Sequence, residues 1–379
     1  MFELSTKDIF DEQGESFSSP DKQDSLPKSL DFFAGSGLVS EALKGSFKTV
    51  WANDICSKKR QVFVANHSEH SFHLDSIENV HGIDLPDHEL SWASFPCQDL
   101  SVAGNQNGIN ANRSGMVWEW LRVLDEVEVP PSVVVAENVV GLVTSKNGEN
   151  YRALHDALIE RGYRVGAVLL DAVHWVPHSR PRIFVVGVKS DINIESVSRS
   201  DATWCHSDAL KKVAKNCEGW VWWNLPKPSE RTFDIDSIIE FDAPVDTGEK
   251  AAKNLGLISD AHMSRMKECI KSGRRVFPGY KRMRKGKQVL ELRFDGVAGC
   301  LRTPAGGSSR QYVVIYNGTD FDIRLLTVRE TARLMGASDN FVLPGSYNDG
   351  YRAMGDAVAL PVARFLAQEL LVKVVNLKG

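Results

Sequence analysis

Phe95-Pro96-Cys97-Gln98 places a thiol directly after a proline, and forty residues further on Glu137-Asn138-Val139 ends an apolar run with a carboxyl group. Those two residue types suit one kind of chemistry. A thiolate that adds to carbon 6 of a pyrimidine ring makes carbon 5 nucleophilic, while a protonated carboxyl group donating to ring nitrogen N3 absorbs the developing charge. Pro96 fixes the backbone before the thiol and removes a competing donor. A buried cysteine is more often a small core residue. Cys97, however, follows the strand read at Glu89–Ser94, at the carboxyl end where ligands bind in open α/β sheets. The polar stretch Gln98–Arg113 comes next, with Gly104, Asn105, Asn107, Gly108, Asn110 and Asn112, a composition suited to a loop that closes over a substrate. Glu137 ends Val133-Val134-Val135-Ala136 at a second such edge, where partial desolvation raises a carboxyl pKa and favours the protonated form. A strand-ending acid facing water is the ordinary alternative.

A further constellation lies upstream. Asp31-Phe32-Phe33-Ala34-Gly35-Ser36-Gly37 reads as a strand, a tight turn and the start of a helix, with glycines where backbone must approach a ligand. Asp54, about twenty positions on, would accept hydrogen bonds from ribose hydroxyls, and Asp75 from an adenine amino group. Position 40 is Ser where a dinucleotide fingerprint carries its third glycine, so a nucleoside cofactor without a pyrophosphate, S-adenosyl-L-methionine, suits the turn better than NAD. An ordinary strand–turn–helix with a surface Asp is the competing reading. Arg180-Pro181-Arg182 sets two guanidinium groups before another apolar run, and such forks bind phosphate or base. Residues 271–293 hold nine basic residues, Lys271, Arg274, Arg275, Lys281, Arg282, Arg284, Lys285, Lys287 and Arg293, against the single acid Glu291. With Phe277 and Tyr280 interleaved, this segment is the best candidate for contact with a phosphate backbone, a solvated charged face being the alternative. The loop Thr303–Arg310 is a second candidate, through its amides and Arg310.

The elements that must position these groups follow from periodicity. Strands are expected at Ser29–Phe33, Lys48–Asn53, Glu89–Ser94, Val133–Glu137, Val165–Asp171 and Ile183–Val188. Helices are expected at Gly35–Gly45, Lys58–Asn66, Gly115–Glu126 and Tyr151–Arg161. Strands alternating with helices specify an α/β fold with a doubly wound, mostly parallel, Rossmann-like sheet. Residues 1–28 read as a loosely held arm with one short helix near Lys7–Asp11. The first part of the main domain spans 29–189, a smaller and less regular domain 190–310, and the return 311–379. Thr327-Val328-Arg329-Glu330 is a capping box opening a helix that stops at Gly336, and a last helix is read at Val358–Leu371. Trp220, Trp222 and Trp223 are read as core of the smaller domain.

The 379 residues carry 45 Lys and Arg against 49 Asp and Glu, so a nucleic-acid surface must be a local patch. Six scattered cysteines with no Cys-x-x-Cys pair argue against a zinc site or a disulfide framework. With no long apolar run and no signal-peptide pattern, the expectation is a cytoplasmic protein without membrane contact.

Taken together, these blocks resemble the DNA cytosine-5 methyltransferases over roughly residues 29–373. The resemblance implies a cofactor site for S-adenosyl-L-methionine at Phe33, Ala34, Gly35, Ser36 and Gly37, with Asp54, Ile55, Asp75, Ser76, Pro96, Val117, Asp356 and Ala357. It implies catalysis by Cys97 and Glu137 with Arg180 and Arg182 contacting the flipped nucleotide. It implies DNA contacts from Gln98, Ser101, Arg113, Lys281, Arg282, Arg284, Lys285 and Arg310, and target recognition by about 190–310. No metal is implied. The block Arg329–Gly336 and the closing Gly355-Asp356-Ala357-Val358 with Pro361-Val362 complete the series. Two positions depart from the pattern. His178 stands where the basic block begins with Gln, and Asp356 where the last block reads Gly-Asn. The expected activity is methyl transfer to carbon 5 of a cytosine in a specific double-stranded DNA sequence. The expected setting is a monomer, acting alone or beside a cognate restriction endonuclease. The alternatives are an RNA (tRNA) cytosine-5 methyltransferase of the same fold, a non-catalytic DNA-binding regulator, and an NAD-dependent oxidoreductase.

Overall fold

The structure, a computed structural model, describes residues 25–67, 71–96, 115–303 and 310–378. These fall into two compact units, one made of 172–180 with 228–361 and the other of the remaining residues.

The second unit is built on a seven-stranded sheet. Its strands are β1 (Lys28–Phe32), β2 (Lys48–Asn53), β3 (Ser71–His73), β4 (Leu90–Ala93), β5 (Val133–Val139), β6 (Tyr163–Asp171) and β7 (Pro181–Lys189), in spatial order β3-β2-β1-β4-β5-β7-β6. The first five pair in parallel, whereas β7 runs antiparallel to both β5 and β6. Val133 to Ala136 and Ile183 to Val186 are wholly buried, as the covered faces of a parallel-rich sheet require. The helix Met116–Glu126 turns Val117, Trp120, Leu121, Val123 and Leu124 inward, and Trp120 Nε1 donates to Ser91 Oγ on β4 at 3.0 Å. The doubly wound α/β reading therefore holds. β3 escaped the sequence because three residues carry too little pattern. A short antiparallel pair, β8 (Ser198–Arg199) with β9 (Trp222–Trp223), also belongs to this unit. Trp223 is buried, though in this unit and not in the smaller domain as expected, while Trp220 and Trp222 are only half-buried.

In the first unit, an antiparallel sheet begins within the less regular segment 190–310 and continues beyond it. β10 (Val276–Arg284) lies between β11 (Lys287–Leu292) and β12 (Gln311–Tyr316), with β13 (Phe321–Leu325) beyond. The helices Gly248–Leu255 and Asp260–Lys271 accompany it, and Ile258, Met266, Phe277, Leu290, Val314 and Ile323 form one buried core. The capping box on Thr327 is present, and its helix, Val328–Leu334, ends before Gly336 at φ +80°. Glu330 does more than cap. Wholly buried, it accepts two bonds from Arg324, at 2.6 and 2.7 Å, and one from the Glu240 amide at 2.8 Å. A buried ion pair satisfied on this scale fixes geometry more than it adds stability. A helix Tyr347–Asp356 that the sequence pattern did not announce follows, and the chain closes with the helix Leu360–Leu366, a wider π turn Ala367–Leu371 and Val372–Asn376, of which residues from 362 on belong to the unit with the large sheet.

Candidate active site

One rim of the large sheet, at the carboxyl ends of β1, β4 and β5, carries several of the groups singled out above. At the end of β5, Glu137 is nearly buried and Arg182 Nε lies 3.1 Å from its Oε1. Register explains the pairing. Glu137 is opposite Phe184 and Val139 opposite Arg182, so the acid and the guanidinium are diagonal neighbours on one face. Arg182 also donates to the Pro181 carbonyl at 2.9 Å.

Asn138 ties this edge to the next strand. Its Nδ2 donates to the Phe95 carbonyl at 3.0 Å, and its Oδ1 accepts from the Val139 amide at 2.9 Å. With the side chain buried, both bonds form away from water. The chain leaving β4 is thereby held against the residue beside Glu137, immediately before Pro96, which is exposed. Cys97, Gln98, Ser101 and Arg113 lie outside the described residues.

Around the glycine turn, Phe33 has φ +57°, Gly35 +57° and Gly37 +84°. A bulky residue in the left-handed region is strained, and such strain clusters at ligand sites. Gly37 is required on two counts, since a Cβ there would lie 2.6 Å from the His67 ring and 2.8 Å from Phe63. Asp54 fastens the turn, accepting from the Gly35 amide at 3.0 Å and the Cys56 amide at 2.8 Å. Each oxygen keeps a lone pair for a further donor such as a hydroxyl. Ile55, next to it, is 73% exposed and offers an apolar surface. Asn53 Nδ2 donates to the carbonyls of His73 and Asp75, bringing the Asp75 segment beside the same edge. The Asp75 carboxyl is held below its usual range by the Asn79 amide and then the Ser76 amide, so it is a pure acceptor at neutral pH. Ser36 and Ala34 are buried in the turn, whereas Val117 is a core residue of its helix.

Sequence reasoning treated Ser40 only as an absent glycine. Its hydroxyl donates at 2.8 Å to Asp31, a fully buried carboxyl at the foot of the turn. Burial is the largest influence on that carboxyl and pushes it up to about 7, with the nearby Asp54 charge adding to the rise. A strand-end Asp followed nine residues later by a small hydroxyl on the next helix was the available signal.

Arg180, Asp356 and Ala357 belong to the other unit. Arg180 is 2% exposed and spends its guanidinium on carbonyls, with Leu301 at 2.8 Å, Gly355 at 2.9 Å and Ala357 at 2.7 Å. The expected contact of Arg180 with a nucleotide gives way to an internal clamp, because those donors are already directed at backbone. His178 is built in the same way. The Leu301 amide donates to its Nε2 at 3.0 Å, so its Nδ1 carries the proton toward the Leu334 carbonyl, also at 3.0 Å. An amide side chain offers the same donor and acceptor, which makes His178 a workable replacement for Gln. Asp356 accepts from the Thr303 hydroxyl. A Cβ on Gly355 would come within 3.0 Å of the Arg302 backbone.

Most of the basic segment is the β10–β11 hairpin, with Lys271, Arg274 and Arg275 before it and Arg293 after it. Lys281 points to the core side, its Nζ 2.6 Å from Asn254 Oδ1 and above the Tyr312 ring. Arg282 and Arg284 both pair with Glu291, while Lys285 sits in the exposed turn. Arg310 stacks on Tyr347 and bonds to Asn348.

Comparison with known proteins agrees with this arrangement. The family model described as C-5 cytosine-specific DNA methylase matches residues 28–372. The type II methyltransferase M.Bsp6I of Bacillus sp. (strain RFL6) is 26% identical over 349 residues, covering 89% of this chain and 96% of that protein. The type II methyltransferase M.HhaI of Haemophilus parahaemolyticus is 25% identical over 355 residues, covering 92% and 96%. Among solved structures, the S. pombe Dnmt2 methyltransferase aligns with a TM-score of 0.60 at 17% identity, over 93% of this chain and 99% of that one. With a glycine turn, an acid at the end of β5 and the β7 arginine assembled on one sheet edge, and with a family match that runs almost the whole length, the chain belongs to the C-5 cytosine-specific DNA methylases.

Proposed function

We propose that this enzyme transfers a methyl group to carbon 5 of a cytosine within a specific double-stranded DNA sequence. The target base is flipped out of the duplex to the carboxyl ends of β4 and β5. Cys97 adds through its sulfur to C6. Glu137 holds N3 by a hydrogen bond, and Arg182 keeps the carboxyl group in place beside the ring. S-adenosyl-L-methionine, when bound, supplies an electrophilic methyl group to C5. Loss of the C5 proton to solvent or a nearby base and departure of the Cys97 sulfur then restore the aromatic ring. Asp54 would hold the ribose hydroxyls, Ile55 would cover the adenine and Asp75 would accept from its amino group. Gly35 and Gly37 keep the turn free of side chains. Arg180 and His178 serve as positioning residues.

The observation that carries this reading is the Asn138 bridge, which fastens the Phe95-Pro96 segment to the strand end bearing Glu137. The family model supports a DNA substrate, and the setting proposed is beside a cognate restriction endonuclease or alone. Among the described residues no helix is long and apolar enough to cross a membrane. We take the enzyme to be a cytoplasmic monomer.

The test is covalent capture. Duplex oligonucleotides carrying 5-fluorocytosine should become cross-linked to the wild-type protein in the presence of S-adenosyl-L-methionine, and not to Cys97→Ala. Unmodified duplex DNA should take up labelled methyl groups while tRNA does not. Failure of the wild-type protein to form the adduct on any duplex sequence sinks the mechanism.

A further inference from the structure

The hairpin that closes β10 onto β11 continues past the core it belongs to. Leu290 and Leu292 are buried against the adjoining helices, but Arg282 to Gln288 are exposed. Two residues make the turn, Lys285 at φ +47° and Gly286 at φ +76°. Positive φ at both is what a type I′ turn demands and matches the twist of the strands. The ribbon therefore projects as a regular element.

Its two faces differ. On one, Arg282 and Arg284 converge on Glu291 from across the strand pair, through Nε of the first and Nε and Nη2 of the second, so this face is partly charge-paired. On the other, Met283 and Gln288 are direct cross-strand partners. Met283 is 61% exposed, and the Gln288 amide makes no hydrogen bond among the described residues. Lys285 and Lys287, at the tip, form no ion pair there either. Two strands about 4.8 Å apart, with their side chains, fit a major groove about 12 Å wide. The charge is complementary to flanking phosphates, since Glu291 is the only acid from 271 to 293.

Resting on the DNA methyltransferase reading above, we propose that this ribbon enters the major groove with its Met283/Gln288 face toward the base edges and makes Gln288 a specificity-determining residue. A side-chain amide matches the donor–acceptor pair of adenine N6 and N7, and a thioether packs on the thymine methyl group. The methylated sequence thus contains an A·T pair read by Gln288. Lys285 and Lys287 anchor the tip on phosphates and carry no sequence information.

The experiment presents the full-length protein and S-adenosyl-L-methionine with a pool of duplex oligonucleotides randomised around a cytosine, scored by bisulfite sequencing. Gln288→Ala should lower discrimination at one A·T position by about 10- to 100-fold, chiefly by slowing methylation of the preferred sequence. Met283→Ala should relax the same or the adjacent position. Lys285→Ala with Lys287→Ala should weaken all sequences alike and make binding less steep in salt. A sequence preference identical to wild type in Gln288→Ala overturns the assignment, as does relaxation caused by the lysine variants instead. Methylation of no duplex by the wild-type protein would instead refute the underlying reading. The substituted side chains are exposed, and unchanged thermal midpoints would confirm intact folding.

Discussion

Replacing Asp31 by Asn should stabilise the protein in alkaline solution and do much less in acid. Asp31 is completely buried, its Oδ2 accepts from Ser40 Oγ, and its Oδ1 has no partner among the described residues. Burial lifts its carboxyl to about 7, against about 3.9 in an unfolded chain. Between those values the folded state holds a proton that the unfolded state has released, so stability falls as pH rises through the window and the whole penalty is present above 7. A shift of about three units corresponds to on the order of 4 kcal/mol at pH 8, of which on the order of 1.5 kcal/mol is already present at pH 5. The amide removes the titration and still accepts from Ser40, at the cost of an unpaired NH2 that is the same at every pH. The stability difference between variant and wild type should therefore grow by about 3 kcal/mol from pH 5 to pH 8. Urea denaturation of both proteins at the two pH values measures it, and titrating groups that do not interact with Asp31 cancel in the comparison. An equal difference at the two pH values, or one larger at pH 5, would refute the claim that Asp31 ionises without compensation.

Asn138→Ala should cost about 1–3 kcal/mol, by stranding the Phe95 carbonyl and the Val139 amide, and should lower kcat more than KM; denaturation and steady-state methyl transfer together check this. Tyr151→Phe should be neutral or stabilising by up to about 1 kcal/mol in thermal unfolding, because the buried Tyr151 hydroxyl has no partner among the described residues. His178→Gln should leave stability within about 1 kcal/mol of wild type, whereas His178→Phe should lose about 2–3 kcal/mol by leaving the Leu301 amide and Leu334 carbonyl unpaired; denaturant midpoints separate the two.

Much of the large sheet was legible because burial on both faces leaves continuous apolar runs. β2 has the bounds read from periodicity, and β5 begins where Val133 begins. β10 was not legible, since Pro278 and Gly279 sit in its middle and argue against a central strand. The structure accommodates them between two partners because Pro278 needs only its carbonyl, which accepts from the Arg293 amide at 2.8 Å. At the site, Glu137 and the glycine turn stood out because a charge or a glycine interrupts an apolar run. The two arginines of Arg180-Pro181-Arg182 looked equivalent. Their separate duties depend on what each meets in space, carbonyls for one and Glu137 for the other, and no spacing rule distinguishes those.

The reversed direction of β7 has a consequence for any attempt to shorten this protein. Nine residues of strand cover about 30 Å, so a β7 aligned like its neighbours would deliver its first residues to the far rim of the sheet. Running backwards, it opens at the rim where β5 ends and so hands a cation to the acid there. Excising the terminal ribbon of β6 and β7 would thus strip Glu137 of its counter-charge as well as baring an edge, and no simple trimming to a minimal five-strand scaffold should retain activity.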